Sequence, residues 1–364
     1  MQRLGTWTFL SLLAAAGGAS AQSSQVQMPS GTSVTFFGVI DVYGSFGDGS
    51  QGSRTQISSG GNTASRWGFR GTEDLGGGLG AGFWLEGAIN ADSGTTGTSN
   101  INNTSAGVTD AVFGRRSTVS LMSQWGELRL GRDFNPTYRN RTDLDPFDNN
   151  GAGNSQANAG TLAGPTATRV SNSIAYFLPT GLAGFFGEAQ YFMGENLQRS
   201  DLPDPHDGDG YGVRVGWASG PFAIAAAGGQ TQYTRTATTG DIQVWNVGAS
   251  YSFDFMKITA GYYRDEVKSN TNVTGDGYIV GAIFPFGASQ IKAAYSSYGP
   301  DVPDDARADK LAVGYVYNFS KRTLVYTTYA YVRNDSNSSV ALNGSLTAPG
   351  RHSQGFDLGI KHSF

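Results

Sequence analysis

Apolar and polar residues alternate one by one along many segments of this chain. In YGVRVGWA, Val213 and Val215 lie on one face of an extended chain, while Arg214 lies on the other. The same alternation runs through QVWNVGASYSF at 243–253 and KLAVGYVYNF at 310–319. A period of two indicates β-strands, because successive side chains point to opposite faces of a sheet. The chain is therefore predicted to be all-β, although alternation alone does not say which face is buried.

Short turns and long polar loops alternate between these segments. Seven connections are short, at 75–80, 123–127, 179–184, 218–221, 254–256, 286–289 and 320–322. Eight are long, near 45–64, 91–112, 134–168, 193–209, 234–240, 268–276, 299–308 and 334–354. Tight turns on one side and long loops on the other are typical of membrane β-barrels. Eight loops and seven turns join sixteen strands between Val34 and Phe364, an even number that lets a barrel close without an unpaired edge.

The predicted fold is thus a 16-stranded antiparallel transmembrane β-barrel. Its apolar face points outward to lipid and its polar face points into the lumen, which is water-filled at this strand number. A mean hydropathy of −0.29 agrees with a chain that needs only an apolar belt. A soluble β-sandwich, with the apolar faces turned inward, is the alternative.

The N-terminus predicts export. Arg3 precedes an apolar stretch from Trp7 to about Gly18, and Ala19-Ser20-Ala21 follows as a small-residue cleavage site. This order is that of a secretory signal peptide, and the stretch is short for a spanning helix, which needs ~20 apolar residues. The predicted organisation is a signal peptide at 1–21 and a barrel domain at 22–364.

Composition removes several classes of function. Cysteine is absent, which excludes disulfides, a thiol nucleophile and cysteine-based metal sites. The three histidines are scattered and show no ligand spacing, so we predict neither a metal site nor a cofactor. The acidic loop DPHDGDG at 204–210 lacks the spacing of an EF-hand and is interpreted as a solvated loop. GGGLGA at 76–81 is followed by a strand rather than a helix, so it does not indicate a nucleotide site.

Several motifs resemble a known family. They are SVTFFGVIDVYG, SRWGFRGTEDLGGGLGAGFWLEG, FGRRSTVSL, GELRLGRDFNP, YNFSKRTLVY and the terminal LGIKHSF. Together they resemble the general porins of Gram-negative β-proteobacteria, above all the anion-selective porins of the Comamonas group. The resemblance spans nearly the whole mature chain and is weakest in the loops.

The resemblance implies a homotrimeric outer-membrane diffusion channel whose third long loop folds into each barrel. Expected partners are outer-membrane lipids, lipopolysaccharide, small anions and hydrophilic solutes, but not nucleic acid. Phe364 would be the terminal aromatic that the outer-membrane assembly machinery reads as an insertion signal.

Basic residues dominate the predicted lumen, although the formal net charge of the chain is −4. Alternation places on the polar face Arg66, Arg70, Arg129, Arg169, Arg214, Lys257, Lys292, Lys310 and Lys361. The acids on that face are Asp41, Glu86, Glu127, Asp133, Glu188 and Asp357. Positive pore walls lower the free energy of a partly dehydrated anion, which predicts an anion preference.

The family resemblance places three arginines at the narrowest point, Arg66, Arg115 and Arg169. Alternation also points Arg66 and Arg169 into the lumen, but it favours Arg116 over Arg115. A β-bulge could reconcile the two, so both stay candidates. Glu86 is predicted to balance part of this charge, and these arginines could alternatively serve to pin the third loop.

Other lumen positions are predicted as pore wall rather than constriction. Arg70, Arg129 and Asp133 belong to this group. The third loop supplies Asp143, Asp145 and Asp148 as candidate acids facing the arginines, and the sequence does not say which of the three points inward.

Two other functions compete with general diffusion. No Ser/His/Asp constellation can be assembled, so an enzyme is not predicted. Within channels, an arginine-lined constriction also suits a substrate-specific channel for phosphate or small carboxylates, which is the alternative to general diffusion.

Overall fold

The computed structural model describes residues 31–99, 102, 109–197 and 205–364. The predicted signal peptide at 1–21 lies outside these residues. The strands up to the third long loop are β1 Ser33–Gly49, β2 Arg54–Ser59, β3 Arg66–Gly76, β4 Leu79–Asn90, β5 Thr95–Thr96, β6 Thr98–Ser99, β7 Thr109–Asp110, β8 Arg116–Ser123 and β9 Gly126–Phe134. After that loop come β10 Arg169–Phe177, β11 Phe185–Phe192, β12 Gly210–Ser219, β13 Phe222–Thr231, β14 Asp241–Ser252, β15 Lys257–Lys268, β16 Val273–Phe286, β17 Ser289–Pro300, β18 Ala308–Asn318, β19 Thr323–Asn334 and β20 Ser353–Ser363.

The strands close into a single antiparallel barrel. Within the described residues, eighteen strands share one sheet, and its ends meet where β1 pairs with β20, from Val39 opposite Ser363 to Gly49 opposite Ser353. β2 and β3 both pair with β1 and form two parts of one barrel strand. β5 is a two-residue addition to β4. Sixteen barrel strands therefore surround the lumen, which confirms the predicted fold class.

The barrel is apolar outside and polar inside. Val213 and Val215 are exposed on the outer face, whereas Arg214 between them is only 2% exposed. The same contrast holds on β20, where Leu358 is exposed and Asp357 is fully buried. An apolar outer face is stable only against lipid, because water would leave these side chains unburied.

The third long loop, residues 135–168, carries the helices of the described residues. α1 is Pro136–Thr142, α2 is Gln156–Ala159, and a 3₁₀ turn covers Gly164–Thr166. Asn135 caps α1, because its side chain accepts a hydrogen bond from the Thr137 backbone N–H. No helix in the described part of the chain is long and apolar enough to cross a membrane.

The third loop packs against the inner face of the barrel wall. Thr259 Oγ1 donates to the Leu144 carbonyl at 2.8 Å, and the Gln156 N–H donates to Ser296 Oγ at 3.0 Å. At the tip, the Ala152 N–H donates to Asp357 Oδ2 at 2.8 Å. The loop thus runs along the lumen side of the wall from α1 to β20.

Glycines in the wall make room for this loop. Side chains at Gly248 and Gly281 would collide with Leu144 and Pro146, and a side chain at Gly314 would lie 2.8 Å from the Phe147 ring. A strand glycine often marks such a close approach. These inward positions form a shallow seat for Leu144, Pro146 and Phe147 of the third loop.

Two of the predicted long loops are wrong. The segment 45–64 is mostly strand, since β1 extends to Gly49 and β2 occupies Arg54–Ser59. The segment 268–276 contains only a tight turn, because β15 ends at Lys268 and β16 begins at Val273. Polar, glycine-rich strand ends have loop-like composition, so composition alone cannot separate them from loops.

Candidate pore constriction

Glu86 on β4 is the centre of a group of basic side chains. Arg115 donates from Nε to Glu86 Oε1 at 2.6 Å, and Arg66 Nη1 lies 3.8 Å from the same oxygen. The Trp84 indole N–H donates to the other carboxylate oxygen at 3.1 Å. Two guanidiniums from different parts of the barrel therefore share one carboxylate.

Arg115 and Arg116 both point into the lumen, although they are neighbours. Arg116 is the first residue of β8 and lies opposite Glu86 in the strand register. Arg115 precedes the strand, where its N–H bonds to the Glu86 carbonyl at 3.1 Å. A residue outside the strand does not follow the alternation, so no bulge within β8 is needed to turn Arg115 inward.

Arg169 completes the group at the start of β10. Its Nε donates to the Arg115 carbonyl at 2.8 Å, and its guanidinium lies 4.3 Å from the centre of the Phe134 ring. Among the described residues it forms no ion pair with a carboxylate. Stacking on an aromatic ring holds a guanidinium in place without neutralising its charge.

The group formed by Arg66, Arg115, Arg169 and Glu86 is called the arginine cluster below. Within the described residues it contains three guanidiniums and one carboxylate, which leaves an excess of two positive charges. Arg66 keeps 29% of its side chain exposed. The cluster can therefore attract an anion passing along the lumen.

On the adjacent wall, a second group of arginines has its positive charge balanced by carboxylates. Asp133 lies 2.6 Å from Arg129, 3.5 Å from Arg139 and 3.8 Å from Arg116. Arg129 also pairs with Glu127 at 2.7 Å, and Arg139 pairs with Glu188 at 3.0 Å. Three guanidiniums face three carboxylates in this balanced cluster, so it stiffens the wall without adding net charge. The structure thus places Arg116 with the predicted wall residues Arg129 and Asp133.

Arg70 and Arg116 flank the Trp84 ring. Their guanidinium carbons lie 5.0 Å and 4.6 Å from the ring centre. Arg70 also lies 5.5 Å from the Phe37 ring, is exposed, and has no ion pair among the residues described. Trp84 faces the lumen, and it separates two like charges that would otherwise repel each other more strongly.

The three candidate loop acids have different environments. Asp143 pairs with Arg214, which is buried in the wall. Asp145 is buried and accepts hydrogen bonds from the backbone of Phe147 and Ser155 at 2.8 Å each, and burial raises the pKa of its carboxyl to about 6. Of the three, only Asp148 is exposed to the lumen.

Asp148 is outnumbered by basic residues. Arg66, Lys257, Lys292 and Lys361 all interact electrostatically with it. Lys257 also interacts with Asp143, and Lys361 also interacts with Asp41, so further carboxylates share these cations. Asp148 therefore lies in a region of mixed charge that includes Arg66 of the arginine cluster.

Sequence reasoning missed Arg139 and Trp84. Arg139 lies on α1 in the third loop, where a period-two pattern gives no direction for its side chain. Trp84 shares strand parity with Glu86, which was a usable signal. The structure points its ring at Arg70 and Arg116.

The acidic loop after β11 is described from residue 205 onward, so Asp204 lies outside the described residues. Asp207 accepts a hydrogen bond from the Thr234 N–H, and Asp209 accepts one from the Gly194 N–H at 2.7 Å. Across the part of the chain that the structure describes, no group of three or more His, Cys, Asp or Glu side chains could hold a metal ion.

The C-terminal Phe364 closes the seam of the barrel. Its backbone exchanges hydrogen bonds with Gly38 at 3.1 Å and 3.0 Å, and its ring lies 5.6 Å from the Phe36 ring. The ring is 43% exposed on the outer face. The placement leaves it accessible from the membrane side.

A closed sixteen-strand barrel with an apolar outside and a charged inside defines a membrane β-barrel channel. Comparisons with known proteins agree. The profile of Gram-negative porins matches residues 7–337. Outer membrane porin protein 32 of Delftia acidovorans is 34% identical over 98% of both chains, and an outer membrane porin protein of Bordetella pertussis is 29% identical over 92% of this chain and 94% of the relative.

Solved structures show the same fold. The anion-selective porin from Comamonas acidovorans superposes with a TM-score of 0.79 at 33% identity, covering 92% of this chain and all of that one. The trimer form of OmpT of Vibrio cholerae superposes with a TM-score of 0.65 at 17% identity over 92% of this chain and all of that one, which shows the fold alone. This chain belongs to the Gram-negative porin family. It is an outer-membrane channel and not an enzyme.

Proposed function

We propose that this porin is a passive diffusion channel for small hydrophilic solutes and ions that prefers anions at its constriction. The observation that carries the proposal is the arginine cluster, where Arg66 and Arg115 share the single carboxylate of Glu86 and Arg169 adds a third positive charge beside Arg115. Arginine suits this role because it stays protonated at any relevant pH and is weakly hydrated. The similar porin from Comamonas acidovorans is itself described as anion-selective.

The rest of the lumen supports the same preference. The balanced cluster around Asp133 contributes no net charge, and the exposed acid Asp148 interacts electrostatically with Arg66 and three lysines. An anion on this path therefore meets the net positive charge of the arginine cluster. The same field repels a cation, so its passage is slower.

The proposed assembly is a homotrimer in the outer membrane, in contact with lipids and lipopolysaccharide. The trimer form of the structurally similar OmpT supports this oligomeric state. The exposed Phe364 is the proposed signal for the outer-membrane assembly machinery. Both proposals concern surfaces outside the pore and are independent of the arginine cluster.

Reversal potentials in planar bilayers test the anion preference. In asymmetric KCl the wild-type protein should favour chloride, and Arg66→Ala combined with Arg169→Ala should shift the reversal potential towards potassium. The matched control is Arg322→Ala with Arg351→Ala, which removes the same charge from exposed arginines at the two ends of the barrel. Equal reversal potentials in the wild type and the lumen double variant would overturn the assignment.

A channel specific for phosphate or small carboxylates is the second candidate. A cleft of about 370 Å³ beside Arg115 favours it, because four polar residues also line this cleft, Asn90, Asn149, Asn150 and Asn343. A guanidinium in a polar cleft can hold a small oxyanion through charge-assisted hydrogen bonds. Block of the chloride current by micromolar phosphate or succinate would favour this candidate, whereas simple additive conduction would favour general diffusion.

A further inference from the structure

The second barrel strand is interrupted by six residues that leave the wall. Val42 on β1 pairs with Ser59 at the end of β2, and Val39 pairs with Arg66 at the start of β3. Two residues of β1 therefore face six residues, 60–65, on the neighbouring strand. We call residues 60–65 the hook; it contains four residues more than a continuous pairing would need.

The hook bends into the lumen. Asn62 and Thr63 donate their backbone N–H groups to Asp41 Oδ2 at 2.9 Å and 2.7 Å. Asp41 is a fully buried lumen-side residue, and its other oxygen accepts a hydrogen bond from Tyr326 at 2.6 Å. Lys361, on the same inner face, lies 3.4 Å from Thr63 Oγ1.

The base of the hook is fixed to the wall. Ser65 Oγ donates to the Asp41 carbonyl at 3.0 Å and accepts from Ser59 Oγ at 2.9 Å. The Gly60 N–H donates to the Asp41 carbonyl at 2.9 Å. A segment held at both its base and its apex is preorganised rather than free to move with solvent.

The hook meets the tip of the third loop. A side chain at Gly151 would collide with the Gly61 carbonyl and lie 2.8 Å from Asp357 Oδ2. The third loop follows the wall from β12 to β20, so its tip ends where the hook begins. Arg66 follows the hook directly, which joins the loop tip to the arginine cluster.

We propose that the hook is a second constriction element, which sets the size limit of the channel together with the third loop. The hook contains no charged residue, so it narrows the passage without changing the charge of its wall. Size exclusion and charge preference then depend on different residues, the hook for size and the arginine cluster for charge. The inference rests on the channel function of the chain but not on its anion preference.

Deletion of Gly61–Ala64 tests the proposal. The deletion removes the four extra residues, so Gly60 would pair opposite Asp41 and Ser65 opposite Ile40 in an uninterrupted strand. Because the passage widens, we expect about a twofold rise in single-channel conductance and entry of larger neutral oligosaccharides in liposome swelling. Deletion of Thr236–Thr239, four exposed residues between β13 and β14, is the matched control and should keep wild-type values.

A second variant changes the passage in the opposite direction. Ala64 lines the open cleft beside Arg115, so Ala64→Trp should fill part of it and lower the conductance by about half. This variant decides the question alone if the deletion does not fold. Wild-type conductance and oligosaccharide entry in a folded hook variant would overturn the proposal.

Reversal potentials recorded on the same channels separate the two proposals. The deletion keeps the arginine cluster but uncovers the Asp41 carboxylate, which Asn62 and Thr63 cap in the wild type, so its anion preference should fall slightly. Ala64→Trp leaves both groups in place and should keep the wild-type anion preference. If the wild type shows no anion preference while the hook variants change conductance as expected, the arginine proposal fails and the hook proposal stands.

Discussion

Arg115 donates from Nε to Glu86 Oε1 over 2.6 Å, and this bond joins the residue before β8 to the middle of β4. It holds a guanidinium inward at a position where strand alternation has no effect. Because Arg66 and Arg169 lie beside the same pair, one carboxylate is left to balance three positive charges. Charge preference is therefore sensitive to Glu86.

Glu86→Gln should strengthen the anion preference. Glutamine can still accept a hydrogen bond from Arg115, but the positive excess of the arginine cluster rises from two charges to three. Reversal potentials in asymmetric KCl should shift further towards chloride. Glu73→Gln, an exposed charge at the turn end of β3, is the matched control. A shift of equal size in both variants would contradict a local role for Glu86.

Arg129→Ala should affect stability more than selectivity. Arg129 keeps 11% of its side chain exposed, lies beside the Phe177 ring and pairs with both Glu127 and Asp133. Its loss leaves two carboxylates with fewer partners, which should cost about 3 kcal/mol. Thermal unfolding in detergent should show a clear loss of stability, and the reversal potential should move less than in Arg66→Ala. The opposite order of effects would place Arg129 in the selective region.

Gly281→Ala should disturb the third loop. The added methyl group would collide with Pro146, and overpacking of this kind costs about 1–3 kcal/mol. We expect noisier single-channel currents and lower thermal stability. Gly228→Ala on β13 is the control, because its nearest neighbours lie 3.7 Å away. Quiet, wild-type currents in Gly281→Ala would show that the loop does not depend on this seat.

Asp145 should make stability depend on pH. Burial raises its pKa from 3.8 to about 6, so the folded chain binds the proton more tightly than the unfolded chain. The associated stability is complete below pH 3.8 and is lost as the pH rises through about 6, by at most about 3 kcal/mol. Thermal unfolding at pH 4.5 and 7.5, values chosen on either side of about 6, should differ less in Asp145→Asn than in the wild type. An unchanged difference would exclude this carboxyl as the source.

Phe364→Ala should reduce assembly in cells. The exposed terminal ring is the proposed insertion signal, so less folded barrel should reach the outer membrane, while refolding of the purified chain in detergent is less affected. Leu358→Ala, another exposed residue on the outer face of β20, is the control. Equal amounts of both variants in the membrane would show that Phe364 has no special role in outer-membrane assembly.

The barrel was predictable because its main signals are local. Alternation in segments such as 211–218 follows from the pleat of a strand, and the rhythm of turns and loops gives the strand number. The prediction failed at 45–64, where polar strand ends have the same composition as a loop. The interruption at 60–65 could not be predicted either. Extra residues in a strand can be recognised only from the register with the strand that it pairs with.

The site was predictable only in part. Alternation predicts that the side chains of Arg66 and Arg70 point into the lumen. It gives no direction for Arg115, because this residue lies just outside a strand. It also cannot separate the balanced cluster from the arginine cluster, since both present arginines to the lumen. That distinction depends on which carboxylate each guanidinium reaches.

By itself, the sequence determined the all-β class, because alternation depends on neighbours one and two residues apart. The rhythm of short turns and long loops determined the number of strands and, with it, the inversion of apolar and polar faces. Only the tertiary structure decided that Asp148, rather than Asp143 or Asp145, faces the lumen, and that the hook meets the tip of the third loop. Both facts depend on contacts between residues far apart in the chain. Such contacts form when the barrel closes and brings β1 beside β20.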